Sequence, residues 1–187
     1  MSVQQILLAG AVPVAYATWN ASDKSANCTL SGGNLTAAVT TPNLGGARAT
    51  IGKSSGKWYW EVQVGLSPVS SSYYALGLTA SGGFNPGQAA GSVGYQSSGG
   101  MLQGGSVVAT GATYAAGDVI GFAFDATAGT LQVFKNNASQ YTFTGITGTQ
   151  IPTAFMDATD NSLNLTARFG ATAFTYSPPS GFNGGVF

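Results

Sequence analysis

Between residues 57 and 64 the chain reads KWYWEVQV, with apolar and more polar positions in alternation. Trp58, Trp60, Val62 and Val64 fall on one side; Lys57, Tyr59, Glu61 and Gln63 fall on the other. A period of two is the pattern of a strand with one face in a core. Each tryptophan has roughly 150–250 Å² of surface to bury. Trp58 and Trp60 are therefore expected as core anchors, and the Glu61 side as the more polar face. The segment VIGFAFD (119–125) sorts differently, with Ile120, Phe122 and Phe124 on one face and the smaller Val119, Gly121 and Ala123 on the other. Close packing on both sides, as in a central strand of a two-layer sandwich, is the expectation.

Helical periodicity is nearly absent. Short β-rich runs, separated by Gly, Ser, Asn and Pro, occur at 28–31, 34–39, 47–51, 57–65, 73–79, 92–96, 100–103, 106–109, 118–125, 130–135, 140–144, 151–157 and 163–170. This pattern predicts an all-β chain, a sandwich or barrel of antiparallel strands. Ser31-Gly32-Gly33-Asn34 and Asp125–Gly129 read as hairpin turns. Asn136-Asn137 makes a tight corner, since Asn tolerates positive φ. The longest irregular stretch is SGGFNPGQAAGS (81–92), with Phe84 expected to be exposed.

No linker or repeat divides the 187 residues, so a single domain is expected over 18–187. Residues 1–17 read as an N-terminal arm, interrupted at Pro13, with Val3, Ile6, Leu7 and Leu8 as its apolar assembly contacts. Ala15-Tyr16-Ala17 imitates a cleavage site, but no Lys or Arg precedes the apolar run as a secretory signal requires. No segment approaches the ~18–20 apolar residues that span a bilayer. Membrane insertion is not expected.

Charge changes the picture further. Six Lys and Arg balance six Asp and Glu, and charged residues make up 6% of the chain. No basic cluster exists of the kind that binds phosphates, so nucleic acid is not an expected partner. So uncharged a surface suits a chain held in an assembly or working outside a cell. Cys28 is alone, which excludes an intrachain disulfide.

The chain has no histidine. Ser-His-Asp, Cys-His and His-ligated metal sites are thereby excluded. A glycosidase would need two converging carboxyl groups. Asp118 and Asp125 are explained by turns, and Glu61 is placed to pair with Arg48 or Arg168. Asp157 and Asp160 share a loop with Asn161 and could offer oxygens to calcium, but the glycine and glutamate of an EF-hand loop are missing. No enzymatic activity, cofactor or metal is expected.

Four segments together resemble the SPRY domain family, especially the versions in bacteriophage and prophage proteins. ATWN…LSGGNLTA (17–37) is similar to the family's opening strands, RATIGKSSGKWYWEVQV (48–64) to its most recognisable block, GDVIGFAFDATAGTLQVFKNN (117–137) to its second block, and ARFGATAFTYSPPSGF (167–182) to its closing strand and tail. The second block commonly ends Asn-Gly, where this chain has Asn136-Asn137. The resemblance implies a two-layer antiparallel β-sandwich, the concanavalin A-like jelly roll. It also implies a non-catalytic binding module that presents loops or a concave sheet to a partner.

The expected function is that of a phage virion component, a tail or head appendage or decoration exposed on the particle surface. The arm would dock it onto other virion proteins, and a homo-oligomer is expected. A carbohydrate-binding module for a host-surface glycan is the alternative, with a protein ligand and a cellular adaptor role behind it. The candidate ligand residues are Tyr73, Tyr74, Phe84, Asn85, Tyr95, Asp160 and Asn161, drawn from loops 66–74, 81–92 and 157–162 and their edges.

Overall fold

The computed structural model describes residues 13–187; the arm contacts Val3, Ile6, Leu7 and Leu8 lie outside the described residues. Every regular element among those described is a strand. In chain order these are β1 (Trp19–Lys24), β2 (Cys28–Ser31), β3 (Thr36–Val39), β4 (Asn43–Ala49), β5 (Lys57–Val64), β6 (Tyr73–Thr79), β7 (Val93–Gln96) and β8 (Gly100–Gln103). They continue as β9 (Ser106–Thr110), β10 (Val119–Asp125), β11 (Thr130–Lys135), β12 (Ala138–Phe143), β13 (Ile151–Ala158), β14 (Leu163–Arg168) and β15 (Asn183–Gly184).

Two antiparallel sheets form the sandwich. The first has the order β1-β4-β13-β6-β7-β8-β9, and the second β12-β11-β10-β5-β14-β3-β2. Short β15 adds a parallel pairing to β5 at Trp58 and Tyr59, beyond the end of β14. The core lies between the sheets. Trp60 stacks on Phe122 with ring centroids 5.0 Å apart, and Trp19 meets Phe169 edge-on at 5.1 Å. Truncating Trp60 to alanine would cost about 3–5 kcal/mol, the usual cost of emptying a large aromatic site. Trp58 is only half-buried; it packs against Phe187 at 5.3 Å and lies under the Lys53 ammonium at 3.7 Å.

The expected turns are present. Asn34, Asn136 and Asn137 all have positive φ, and the Asp125 carboxylate accepts the Ala128 amide. β10 is central, between β5 and β11, and its small-residue face is covered as well as its large one. β1 escaped the periodicity reading because WNASDK has one deeply buried side chain, Trp19, and a register shift that disrupts alternation. The last two residues of the predicted arm belong to the sandwich: Tyr16 packs on Phe187, and the Ala17 amide donates to the Val186 carbonyl at 2.7 Å.

The expected polar face of β5 is a correction. Tyr59 and Glu61 are both buried, because the chain after β14 folds back over the outside of the second sheet. Glu61 pairs with neither Arg48 nor Arg168. Its carboxylate accepts the Thr175 and Tyr176 amides at 2.7 and 2.8 Å and the Tyr59 hydroxyl at 3.0 Å. Arg48 bonds Asp23 instead, and Arg168 donates to Gln63.

Candidate functional site

The two ends of β5 have different surroundings. At its Lys57 end lie β15, Val186 and residues 16–17. At its Val64 end the chain enters the loop 65–72. Eight residues at about 3.3 Å each separate these ends by roughly 23 Å. The end carrying residues 16–17 and 183–187 is opposite the end where the loop 65–72 lies.

The loop end holds a shallow pocket of about 400 Å³, lined by Pro68, Ser70, Ser71, Ser72, Tyr73, Gln96, Ser97 and Ser98. Its shape follows from a small set of bonds. Asp160 accepts both the Ser71 amide (2.6 Å) and the Ser71 hydroxyl (2.8 Å). The Ser72 hydroxyl accepts the amides of Asp160 and Asn161 at 2.8 and 3.2 Å. Asn161 completes the clamp, donating to the Ser67 carbonyl at 2.8 Å and accepting the Val69 amide at 3.3 Å. Asp160 and Asn161 therefore hold the pocket loop from behind, and neither lines it.

Beneath the pocket is a buried tyrosine cluster. Tyr114 lies 6.4 Å from Tyr74 and 4.8 Å from Tyr95, centroid to centroid, and its hydroxyl donates to the Tyr95 carbonyl at 2.9 Å. Tyr74 and Tyr95 are corrections to the expected ligand set: both are fully buried in the inter-sheet core. Strand alternation places them on the inward face, and each hydroxyl has a carbonyl partner, Leu66 or Asn164 for Tyr74 and Ala112 for Tyr95. Burial pushes both phenols up to about 12. Their role is a rigid floor.

Phe84 is likewise corrected. The 81–92 loop folds over the outer face of the first sheet, and Phe84 is half-buried with the Arg48 guanidinium 4.8 Å from its ring centroid. Gly46 permits this approach, since a Cβ there would sit 2.6 Å from that of Phe84. From the same loop, the Asn85 side chain donates to the Tyr73 hydroxyl at 2.9 Å. Of the seven candidates, Tyr73 alone lines the pocket; Asn85, Asp160 and Asn161 position it or its loop. Burial raises the Tyr73 phenol, and the Asp157 charge adds to this, while the Asn85 bond opposes both. Ser97 and Ser98 were not anticipated, nor was Gln96. The only sequence signal for them is the turn-forming run SSGG after the strand over 92–96.

The pocket offers hydroxyls, an amide and an aromatic ring, and no charged side chain lines it. Nothing in it resembles an activated nucleophile. The Ser71 hydroxyl donates to Asp160, but the Ser71 side chain and amide hold that carboxyl below its ordinary pKa, which makes it a poor proton acceptor.

The family model of the SPRY domain matches residues 57–168. The chain belongs to the SPRY domain family. Solved structures similar to it include the SPRY domain of human HERC1, with a TM-score of 0.71 and 17% identity over 80% of this chain and 96% of that one. Stonustoxin matches with a TM-score of 0.63 and 18% identity, over 82% of this chain and 27% of that chain. The TRIM65 PSpry domain gives 0.62 and 15%, over 82% and 92%. These likenesses establish the sandwich fold. No curated protein matches the chain in sequence. SPRY domains are generally non-catalytic binding modules.

Proposed function

We propose that this SPRY domain is a non-catalytic attachment module on the surface of a bacteriophage particle, binding an uncharged, hydroxyl-rich ligand, a host-surface glycan, in the pocket at its loop end. The observation that carries the ligand assignment is the neutral lining, five serines with Tyr73, Gln96 and Pro68. Sugar hydroxyls match alternating donors and acceptors of this kind, and an aromatic ring can cover a sugar's apolar face. The display role is supported by the low charge of the chain, by the apolar stretch before Tyr16, and by the opposite placement of the terminal segments and the pocket. A module docked through its N-terminal segment would point the pocket away from the particle.

A protein segment is the second ligand class, favoured by the exposed Leu44, Leu66 and Val69 at or near the same end. One experiment separates the two. The purified 187-residue chain is tested for saturable binding to intact bacterial cells, with free glycans and with protease-treated cells as competitors or controls. Glycan competition that disappears in Tyr73→Ala and Gln96→Ala supports the glycan. Binding abolished by protease treatment and unaffected by glycans assigns a protein ligand. Binding that survives both substitutions removes the pocket from consideration. Docking is read separately: Ile6→Asp with Leu7→Asp should prevent incorporation into particles while leaving the domain folded.

A further inference from the structure

The four open sheet edges are unequal. β1 carries Asp23 and Lys24 and a register shift. β2 is four residues long, and Lys24 donates to its Cys28 carbonyl at 2.7 Å. β12 exposes no large aliphatic or aromatic side chain. Charges, brevity and bulges are the ordinary guards of a strand edge. β9, with the sequence SVVAT, is short and has a register step of its own, but no charge guards it: Val107 is 65% exposed and Val108 43%, and no charged residue occurs anywhere from 62 to 117.

β9 pairs with β8 on one side, and no strand among those described pairs with its other side. Its one irregularity is a step in register, from Met101–Ala109 to Leu102–Val107, which leaves Val108 without a partner on β8. Both ends of the strand are tied down. The preceding turn is fixed by the Gly104 amide on the Ser92 carbonyl (3.2 Å) and the Gly105 amide on Gly87 (2.7 Å); beyond the strand, Gly111 donates to Gly99 (2.8 Å) and Ala112 to the Gln140 side chain (2.9 Å). The edge is thus preorganised, and little ordering would accompany pairing.

The sequence of the edge names its occupant. Around Val108 it is nearly palindromic: in an antiparallel pairing of two copies, Val108 meets Val108, Val107 meets Ala109, and Ser106 meets Thr110. A two-fold axis brings each residue against its own copy or that of a near neighbour, so any charge near it would repel itself. The charge-free run satisfies that condition.

We propose that two copies of this chain associate edge to edge through β9, antiparallel and centred on Val108, joining their seven-stranded sheets. A five-residue strand pair buries less than the roughly 1,200 Å² of a standard interface, so the dimer is weak and depends on concentration. The test is sedimentation or light scattering of the full chain across a micromolar to millimolar series. The expected result is a monomer–dimer equilibrium that Val107→Lys or Val108→Lys moves at least tenfold toward monomer, with an unchanged melting temperature. Ile6→Asp with Leu7→Asp should leave it in place. A chain that stays monomeric throughout overturns the proposal. So does association that persists in both valine variants, or that is lost only in the arm variant.

Discussion

The two outer faces of the sandwich are both roofed by irregular chain, and each roof is held by a buried charge of opposite sign. Over the first sheet, Arg48, 6% exposed, donates to the Gly82 and Gly83 carbonyls, to the Thr79 hydroxyl at 2.9 Å, and to Asp23 at 2.9 Å. Over the second, Glu61, fully buried, accepts two amides of the C-terminal segment. A cation gathers carbonyls and an anion gathers amides, each taking the half of the peptide group it attracts. The difference lies in charge balance. Arg48 has a carboxylate partner, whereas Glu61 is balanced by N–H and O–H dipoles alone. A buried charge without a counter-ion depends wholly on its hydrogen bonds.

That contrast is open to direct attack. Glu61→Ala should have the largest effect, leaving two amides and a phenol without their acceptor at a cost of about 3–5 kcal/mol in urea denaturation. Equal stability of this variant and wild type would mean that the C-terminal roof contributes little. Arg48→Ala should cost less, about 2–3 kcal/mol, because Asp23 is partly exposed and water can replace its partner. Freed from Arg48, residues 80–84 should also become sensitive to proteolysis while the C-terminal segment remains protected. Gly46→Ala sharpens the comparison without touching charge. Its Cβ would meet the Ala154 carbonyl at 2.5 Å and the Phe84 Cβ at 2.6 Å. The expected loss is about 1–3 kcal/mol, the usual range for overpacking, with cleavage again confined to the 80–84 region.

The smallest effect lies outside both roofs, at the turn carboxylate Asp118. Burial works to raise its pKa, but the Ala115 amide, Asn136 and Lys135 outweigh this and hold it below the ordinary value. A folded-state pKa below the unfolded one adds stability above the unfolded value of about 3.9 and loses it as pH falls through the folded value. Asp118→Asn should therefore remove that small contribution at neutral pH, and the acid limb of its stability–pH curve should be slightly flatter than that of wild type. A variant whose acid limb matched wild type would remove Asp118 from the acid response.

Particular residues mark what could be read in advance. The tryptophan alternation, the Asp125 and Asn136 turns and the two-sided packing of VIGFAFD are local, and each depends on chemistry within a few positions. Strand pairing follows from them only in outline. Tyr74 and Tyr95 could not be assigned by type, because a tyrosine serves equally as a binding surface or as a core side chain with a satisfied hydroxyl. Gln96, Ser97 and Ser98 carried no signal beyond that of a turn, since their nearness to Ser71 depends on which strand lies beside β6. Phe84 and Glu61 misled for one reason: period two says which residues share a face, and it cannot say what comes to cover that face.

By itself, then, the amino-acid sequence determined the strand content, the turns, the absence of histidine chemistry and the family, because these rest on local pattern and residue type. The tertiary structure alone decided that both outer faces are roofed, that the pocket is neutral and lies opposite residues 16–17 and 183–187, and that β9 is an open apolar edge among the described residues. Those outcomes depend on contacts between residues tens to more than a hundred positions apart, such as Glu61 with Tyr176. No periodicity within a strand encodes such contacts.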